Sequence, residues 1–503
     1  MNLRKCIMTG LLAVLVCSAE VFAGIEEIRK NAEKGYAHSQ FQLGWIYYVG
    51  NKDVKQDYKE AVKWFRLAAN QGDWAACSQL AICYDLGKGV KQNPAEAFKW
   101  YRIAALQGDL RSMKMLGYFY AVGRGVEQDY QESAEWVMKA VKKGDKSSKF
   151  MLGLYYLNGT GVPQDFRKAR ELVRAAADAN DPMAQSSLGK IYEDGMGVKQ
   201  DYKEAAKWYR KAAARNDVYA AFALGRFSLY GKGMPRNLAA AERYFKQTFT
   251  ISLEQTMRGN HFAQCQLGYC YQFGIGTKKN LPEAVKWYAR AAAQGNRGAN
   301  AYLGFCYLTG KGVPKSRREA EKYFREIFER DKQDAVHGNP VAMYYLGNYY
   351  NTGFGGKQDY KEAVKWHRKA YQKKYTSSAI ELGIHYFYGR GVPQNYAEAE
   401  KYFREAAGLD RAVAKFYMGL CSEKLRKKPA EAAAWYKAAV PDLKIDVEYF
   451  ESGYSCFALG CCYEHGLGGV KKDLNKAISL YRKAAEYEYI DAQNALKRLG
   501  IKQ

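Results

Sequence analysis

From residue 37 to residue 485 the apolar positions follow one rule, written about twelve times. A leucine is followed four residues later by a tyrosine, as in Leu43/Tyr47, Leu80/Tyr84, Leu116/Tyr120, Leu152/Tyr156 and Leu188/Tyr192. Positions i and i+4 share one face of a helix and touch there. The commonest spacing between these leucines is 36 residues. Further along each copy an alanine precedes an aromatic residue by three, as in Ala61/Trp64, Ala97/Trp100, Ala205/Trp208, Ala284/Trp287 and Ala363/Trp366. The pattern predicts a first helix, a turn and a second helix. Neither helix has enough apolar surface to form a core alone, so the copies must stack to fold.

The turn between the helices reads Gly-x-Gly-Val, as at Gly123 to Val126, Gly159 to Val162, Gly195 to Val198 and Gly389 to Val392. Its first glycine suits a left-handed helix stop. An Asp or Asn follows (Asp57, Asn93, Asp129, Asp201, Asn280, Asp359), the residue type that caps a helix start. In Asp57/Glu60, Asp129/Glu132 and Asp201/Glu204 a glutamate three residues on completes a capping box. A glycine directly after the leucine (Gly44, Gly117, Gly153, Gly189) would weaken an isolated helix, so its recurrence implies a closely packed neighbour. Seven of the nine Trp occupy the second-helix aromatic column, which marks them as packing residues rather than a ligand cage.

Together these columns read A-x-x-x-L-G-x-x-Y-x-x-G-x-G-V-x-x-D-x-x-K/E-A-x-x-W-Y-x-K-A-A. That pattern resembles the Sel1-like repeat, a relative of the tetratricopeptide repeat, over almost the whole chain after residue 36. The resemblance implies an all-α fold, a right-handed α/α superhelical solenoid of about twelve helix-turn-helix repeats. It implies protein–protein contacts and no reaction. The expected organisation is an N-terminal capping helix at 24–36, the array at 37–485 and a C-terminal capping helix at 486–503 built on Ala492, Leu496 and Leu499.

Three places break the period. The spacing grows to 43 residues from Leu224 to Leu267 and again from Leu303 to Leu346. The extra residues fall at 249–260 and 328–339, each ending in Gly-Asn. Seven residues are about two helical turns, or roughly 10 Å, so the insertions predict longer second helices in repeats six and eight. Repeat eleven has Met418 for Leu and Ser422 for Tyr, loses its Gly-x-Gly turn around Lys424 to Lys428, and carries an insertion at 441–454 that begins with Pro441. A bend or hinge near residues 420–455 is expected.

Residues 1–23 stand outside the pattern. Arg4 and Lys5 precede an apolar run from Cys6 to Cys17, and Val21-Phe22-Ala23 offers small residues three and one before a cut. This is the layout of a secretory signal peptide, with an N-terminal membrane anchor as the alternative, so an exported protein, periplasmic or secreted, is expected, with no integral membrane segment once the signal is removed. The net charge is +26, or +25 without residues 1–23. Much of it recurs at fixed second-helix positions such as Lys203, Lys207, Arg210 and Lys211, the pattern of a solvated face. Export argues against nucleic acid and leaves lipid headgroups, acidic cell-wall polymers or acidic proteins as anionic partners.

Candidate chemistry is sparse. Cys83, Cys270, Cys306, Cys421 and Cys462 share one column, where other repeats have Ile46, Ile191 and Phe227. Cysteine there behaves as a small buried apolar residue. Relatives whose cysteines join the two helices of each repeat are associated with β-lactam binding and hydrolysis. The second helices here carry no Cys, so that association transfers poorly. Cys77, Cys265, Cys456 and Cys461 remain open as pairing partners. None of the six His has a metal-ligand spacing, though His261 and His337 adjoin the Gly-Asn ends of the insertions. The Gly-Lys-Gly turns lack the Gly-Lys-Ser/Thr of a phosphate loop. No catalytic residue, cofactor or metal is expected.

The expected working surface is the concave side, lined by first helices. Its candidate partner-binding residues lie two positions after the leucine (Trp45, Tyr118, Lys190, Arg226, Tyr269, Phe305) and one before it (Tyr302, Tyr345). If they face a groove they are anchors of the kind that dominate binding energy. If they face the next repeat they are core. The leading functional reading is an exported, non-enzymatic scaffold or adaptor for a protein or peptide partner. An envelope binder of acidic glycan or cell-wall polymer comes second, and a cell-wall or β-lactam hydrolase third.

Overall fold

Twelve helix pairs follow one another, from Ala37–Val49 with Tyr58–Asn70 to Gly453–His465 with Leu474–Glu486. A lone helix, Val21–Glu33, precedes them and another, Ile490–Arg498, follows. The computed structural model describes residues 21–501 apart from 52–53, 258, 410 and 426–428. The expected export signal therefore lies largely outside the described residues. Its expected cut, after Ala23, falls in the first turn of the helix Val21–Glu33. No strand occurs among the described residues, and the architecture is an all-α solenoid.

Repeat five shows why these residues make this unit. The first helix, Pro182–Asp194, starts with Pro182 and is capped by the Asp181 carboxylate. It stops at Gly195, whose φ of 67° puts it in the left-handed region. The second helix, Tyr202–Ala213, starts on Asp201, whose side chain accepts from the amides of Lys203 and Glu204, both at 2.9 Å. Leu188, Ile191, Ala205 and Tyr209 are fully buried. A Cβ placed on Gly189 would sit 2.7 Å from the Tyr209 ring, so the glycine sets how closely the two helices approach. Two donor groups satisfied at a cap and one buried aromatic ring outweigh the helix cost of a single glycine, about 1 kcal/mol.

The helices contact in two compact units. The first reaches Leu152 and the second begins at Gly153, within the first helix of repeat four, Lys146–Asn158. In the first unit, neighbouring repeats are tied side by side through their first helices. Ser78 donates to Asp109, the cap of the next first helix, at 3.0 Å, and Arg124 pairs with Asp85 of the repeat before it at 2.8 Å.

The longer second helices lie in the second unit. Leu238–Thr256 has 19 residues and Arg317–Val336 has 20, where most second helices have 12 or 13. The second helix of repeat eleven, Pro429–Phe450, is longer still at 22 residues and runs through Pro441. The residues that break the period at 441–450 thus add helix. Leu443 and Ile445 in this extension are buried.

All nine cysteines from Cys77 onward are free thiols, seven of them buried. Burial pushes the Cys83, Cys270 and Cys462 thiols up to about 12, so they stay protonated and inert at neutral pH. Trp136, Trp208 and Trp366 are buried between helices, in line with a packing role.

Candidate functional site

One face of each first helix carries the residues two and six after the repeat leucine, one turn apart. In the second unit this face is covered by the chain itself. Asp194 of repeat five receives Lys190 at 2.9 Å and Arg411 at 3.3 Å. Tyr230 of repeat six donates a very short hydrogen bond to Asp446, which also accepts from Ser455 at 2.8 Å. Phe450 packs edge-on against Phe222 at 6.2 Å, and Phe222 against Tyr269 at 5.6 Å. Glu451 receives Lys279 of repeat seven at 2.8 Å and Lys311 of repeat eight at 2.7 Å. The Tyr487 hydroxyl lies 2.8 Å from Lys311, and its ring 6.1 Å from that of Phe305.

Extension residues Asp442, Asp446, Tyr449 and Phe450 are spaced i, i+4, i+7 and i+8, the stripe of a helix laid into a groove. This helix crosses three repeats. Asp442 stands 3.8 Å from Lys232 of repeat six and Glu451 reaches Lys311 of repeat eight. Ile445, Tyr449 and Phe450 pack between these ends with Phe222, Tyr269 and Phe273.

Beside the extension lies a cavity of about 130 Å³ lined by Glu193, Asp194, Arg226, Tyr230, Lys232, Arg411, Asp442 and Asp446, among others. Glu193 accepts from Arg226 at 2.5 Å and from the buried Tyr209 at 2.6 Å. Burial opposes the Glu193 charge, but Arg226 and Lys190 outweigh it and hold the carboxyl down to about 2. Four carboxylates and three cations line the cavity, and they pair as Glu193 with Arg226, Asp194 with Arg411 and Asp442 with Lys232. Among the described residues no three His, Cys, Asp or Glu side chains are placed to hold a metal ion. Chemically, the arrangement ties helices together.

A second buried polar cluster lies in repeats nine and ten. His367 occupies the column that holds Tyr209 in repeat five, against Gly347, and its ring centroid is 5.9 Å from that of His385. His385 bonds the Arg390 carbonyl through Nδ1 at 2.8 Å. Burial, and then the neighbouring His385, keep His367 well below its ordinary range, and burial takes His385 down to about 4. Burial pushes the Glu381 carboxyl up to about 7, against the pull of the Tyr454 hydroxyl.

The sequence candidates divide between these settings. Lys190 and Arg226 are held in ion pairs within the second unit. Tyr269 and Phe305 lie on the covered face. Tyr302 stacks on Tyr288 at 4.9 Å and serves the packing between repeats. Tyr345 is exposed, with its ring 5.4 Å from Tyr344. Trp45 and Tyr118 belong to the first unit, Trp45 half-buried and stacked on Tyr48, Tyr118 exposed. His261 bonds Asn296, and His337 bonds the Gln333 carbonyl of its own helix, so each has a local structural partner.

Sequence reasoning missed the position six after the leucine. It holds Val49, Leu86 and Val122 in repeats one to three, exposed by 53%, 56% and 51%. The same column holds Asp194, Tyr230 and Phe273 in the covered repeats. The switch from aliphatic to polar and aromatic along that column was the available signal. Asp446, Phe450 and Glu451 were missed too, and their helical spacing was readable.

Stacked helix pairs with long packing faces define an α-solenoid repeat protein. Within that class, this chain belongs to the Sel1 repeat family. Its model matches residues 37–73, 74–109, 110–145, 147–181, 182–217, 218–248, 261–296, 298–331, 340–375, 376–410, 412–440 and 453–486. Sel1 repeat proteins generally mediate contacts between proteins. The chain is 36% identical over 67 residues to the secretory immunoglobulin A-binding protein EsiB of Escherichia coli O6:H1 (strain CFT073). That match spans 13% of this chain and only 14% of the relative. Among solved structures, a protective antigen of uropathogenic Escherichia coli with an SLR fold is 29% identical, with 95% of this chain and 98% of that chain covered at a TM-score of 0.42. A Sel1 repeat protein from Oxalobacter formigenes is 30% identical, with 65% of this chain and 91% of that chain covered, also at 0.42.

Proposed function

We propose that this chain is an exported, non-enzymatic scaffold that binds a protein or peptide partner through its first-helix face. The observation that carries the reading is the exposed aliphatic column of repeats one to three, set in a family that generally mediates protein contacts. EsiB, by its name, binds secretory immunoglobulin A, which supports a protein as the class of partner here. The buried carboxylates and histidines sit in packing contacts, which supports a binding rather than a catalytic role.

The test is capture of a partner by the full chain at about 0.15 M and about 0.5 M salt, where the Debye length falls from about 8 Å to a few ångströms. One polypeptide retained at fixed stoichiometry in both salts supports the scaffold. Capture of anionic polymers alone, lost at the higher salt, replaces it with the acidic-polymer reading, which the exposed Lys207, Arg210 and Lys211 and the +25 charge without residues 1–23 favour. β-Lactam turnover abolished by a point substitution would overturn the non-enzymatic reading. Export is tested by the N-terminal sequence of protein recovered outside the cytoplasm, which should begin at Gly24.

A further inference from the structure

The face that the second unit fills with its own helix is open in the first unit. In repeats one to three it carries Trp45/Val49, Ile82/Leu86 and Tyr118/Val122. Each pair is spaced i, i+4, so all six side chains fall on one side of three adjacent first helices. Directly packed helices stand 8–10 Å apart and successive first helices no closer, so the stripe is at least about 20 Å long. A helix of about 14 residues matches it.

The charges repeat as well. Eight residues after the leucine, in the turn, the second unit carries Lys232, Lys311 and Arg390. Each meets a carboxylate of the C-terminal repeats: Asp442, Glu451 and Asp491 respectively. The first unit has Lys88 and Arg124 at this position. Arg124 pairs with Asp85. Among the described residues Lys88 meets the Tyr48 hydroxyl at 3.0 Å and the faces of Tyr48 and Tyr58, with no carboxylate in contact.

We infer that repeats one to three dock an acidic amphipathic helix of a partner protein, held as the second unit holds its own residues 442–451. The occupant has two apolar or aromatic residues, one or two turns apart, to lie on Leu86 and Val122. It has a carboxylate toward its middle to meet Lys88 of repeat two. This deepens the scaffold reading above and rests on it.

The probe is a fluorescent peptide of this chain's residues 437–452, whose acidic helix lies on such a face in the second unit, added to the full chain. Saturable binding is expected. The pair Leu86→Asp and Val122→Asp should weaken it at least tenfold with an unchanged melting curve, since both residues are exposed. Lys88→Glu should weaken it several-fold, and a peptide carrying Asp442→Lys should recover part of that loss. Absence of saturable binding below about 1 mM, a gain of only about 4 kcal/mol, overturns the inference. So does binding indifferent to the Leu86 and Val122 changes. A concentration-dependent dimer abolished by Leu86→Asp would assign the face to a second copy and also overturn it. If the Leu86/Val122 variant still captures a protein partner undiminished, this docking face is lost and the scaffold role stands. If the unaltered chain captures no protein, both fall.

Discussion

Repeats two and three and repeats six and seven present the same columns of the same helix and use them oppositely. In the first pair, Leu86 and Val122 stand exposed. In the second, Tyr230 binds Asp446 and Phe273 packs with Ile445 and Phe450. The repeat rule specifies how a helix pair closes on itself and on its neighbour. It leaves the residues two and six after the leucine free, and their contents decide whether the face is filled from within or left for another chain. Aliphatic side chains suit an open face of either kind. Tyrosine and aspartate suit a particular neighbour, because a buried hydroxyl or carboxylate without a partner costs about 1–3 kcal/mol or more.

The largest effect should come from the position five after the leucine, which anchors each version of the face. Glu193→Ala strands Arg226 and removes the acceptor of the buried Tyr209 hydroxyl. Breaking a buried pair in this way costs about 3–5 kcal/mol. Asp85→Ala, its counterpart in repeat two, removes a slightly more accessible pair with Arg124 and leaves no buried tyrosine hydroxyl without its acceptor, so it should cost less, about 1–3 kcal/mol. Hydrogen exchange read repeat by repeat separates the two, because a chain of two units need not unfold in one step. Equal losses would mean that the two faces are built alike. The Glu193 contribution is also pH-dependent. Its folded pKa lies below its unfolded one, so it stabilises above about pH 4.5 and is lost as the pH falls toward 2.

A smaller effect with the same sign of pH dependence arises from His367 and His385, confined to the second unit. Both are buried and neutral. The unfolded chain takes up protons below about pH 6.5 and the folded chain does not until near 4 for His385. Stability therefore falls as the pH drops through that window, by on the order of 2 kcal/mol at pH 5 for His385, with His367 adding in the same direction. Glu381 opposes them: its raised folded value favours the folded state below pH 7, and that contribution fades as the pH rises from 4.5 to 7. The clean comparison is the wild type against His385→Ile, the residue this column holds at Ile191. Melting between pH 7 and pH 5 should drop less in the variant. An identical drop would remove His385 from the account.

Tyr230→Phe tests the covering helix itself. It deletes one donor to Asp446 and leaves the one from Ser455, so the expected cost is about 1–2 kcal/mol. Protection should fall in both repeat six and residues 442–450, which lie more than two hundred positions apart in sequence. Loss confined to repeat six would show that the extension is held elsewhere.

Much of the fold was legible because each structural role recurs. Asp201, Gly195 and Tyr209 can be read as cap, stop and core residue from one copy, and the other copies repeat the reading. Pro441 was harder. A proline after a degenerate repeat reads as a break, yet the helix continues to Phe450 because tertiary contacts of Leu443 and Ile445 outweigh the hydrogen bond that the proline removes. The covered face was not legible at all. Which repeat meets which across about two hundred residues depends on the small rotation from each helix pair to the next, and no single copy encodes that sum. Arg226 and Tyr269 read as candidate anchors for a partner because their intramolecular partners, Glu193 and the Phe222/Phe450 cluster, are set by that rotation.

The smallest expected effect on stability bears most directly on the comparison. Leu86→Ala and Val122→Ala remove side chains that are already half in water, so each should change stability by no more than about 0.5 kcal/mol. If these residues were only the outer layer of a core, nothing else should change. If they are the floor of a docking face, each truncation also removes contact area from a partner helix, and peptide affinity should fall by about threefold to tenfold, because the one or two methyl groups newly buried by the partner are worth about 0.8 kcal/mol each. The corresponding truncation in the filled face, Ile445→Ala, should reverse the pattern, with stability lost and peptide binding to repeats one to three untouched. Titration of the labelled peptide against the three variants, alongside their melting curves, reads both quantities. Leu86→Ala and Val122→Ala variants that lose stability but not affinity would make the two faces variations of one core. The reverse would make the first unit the place where this chain meets another.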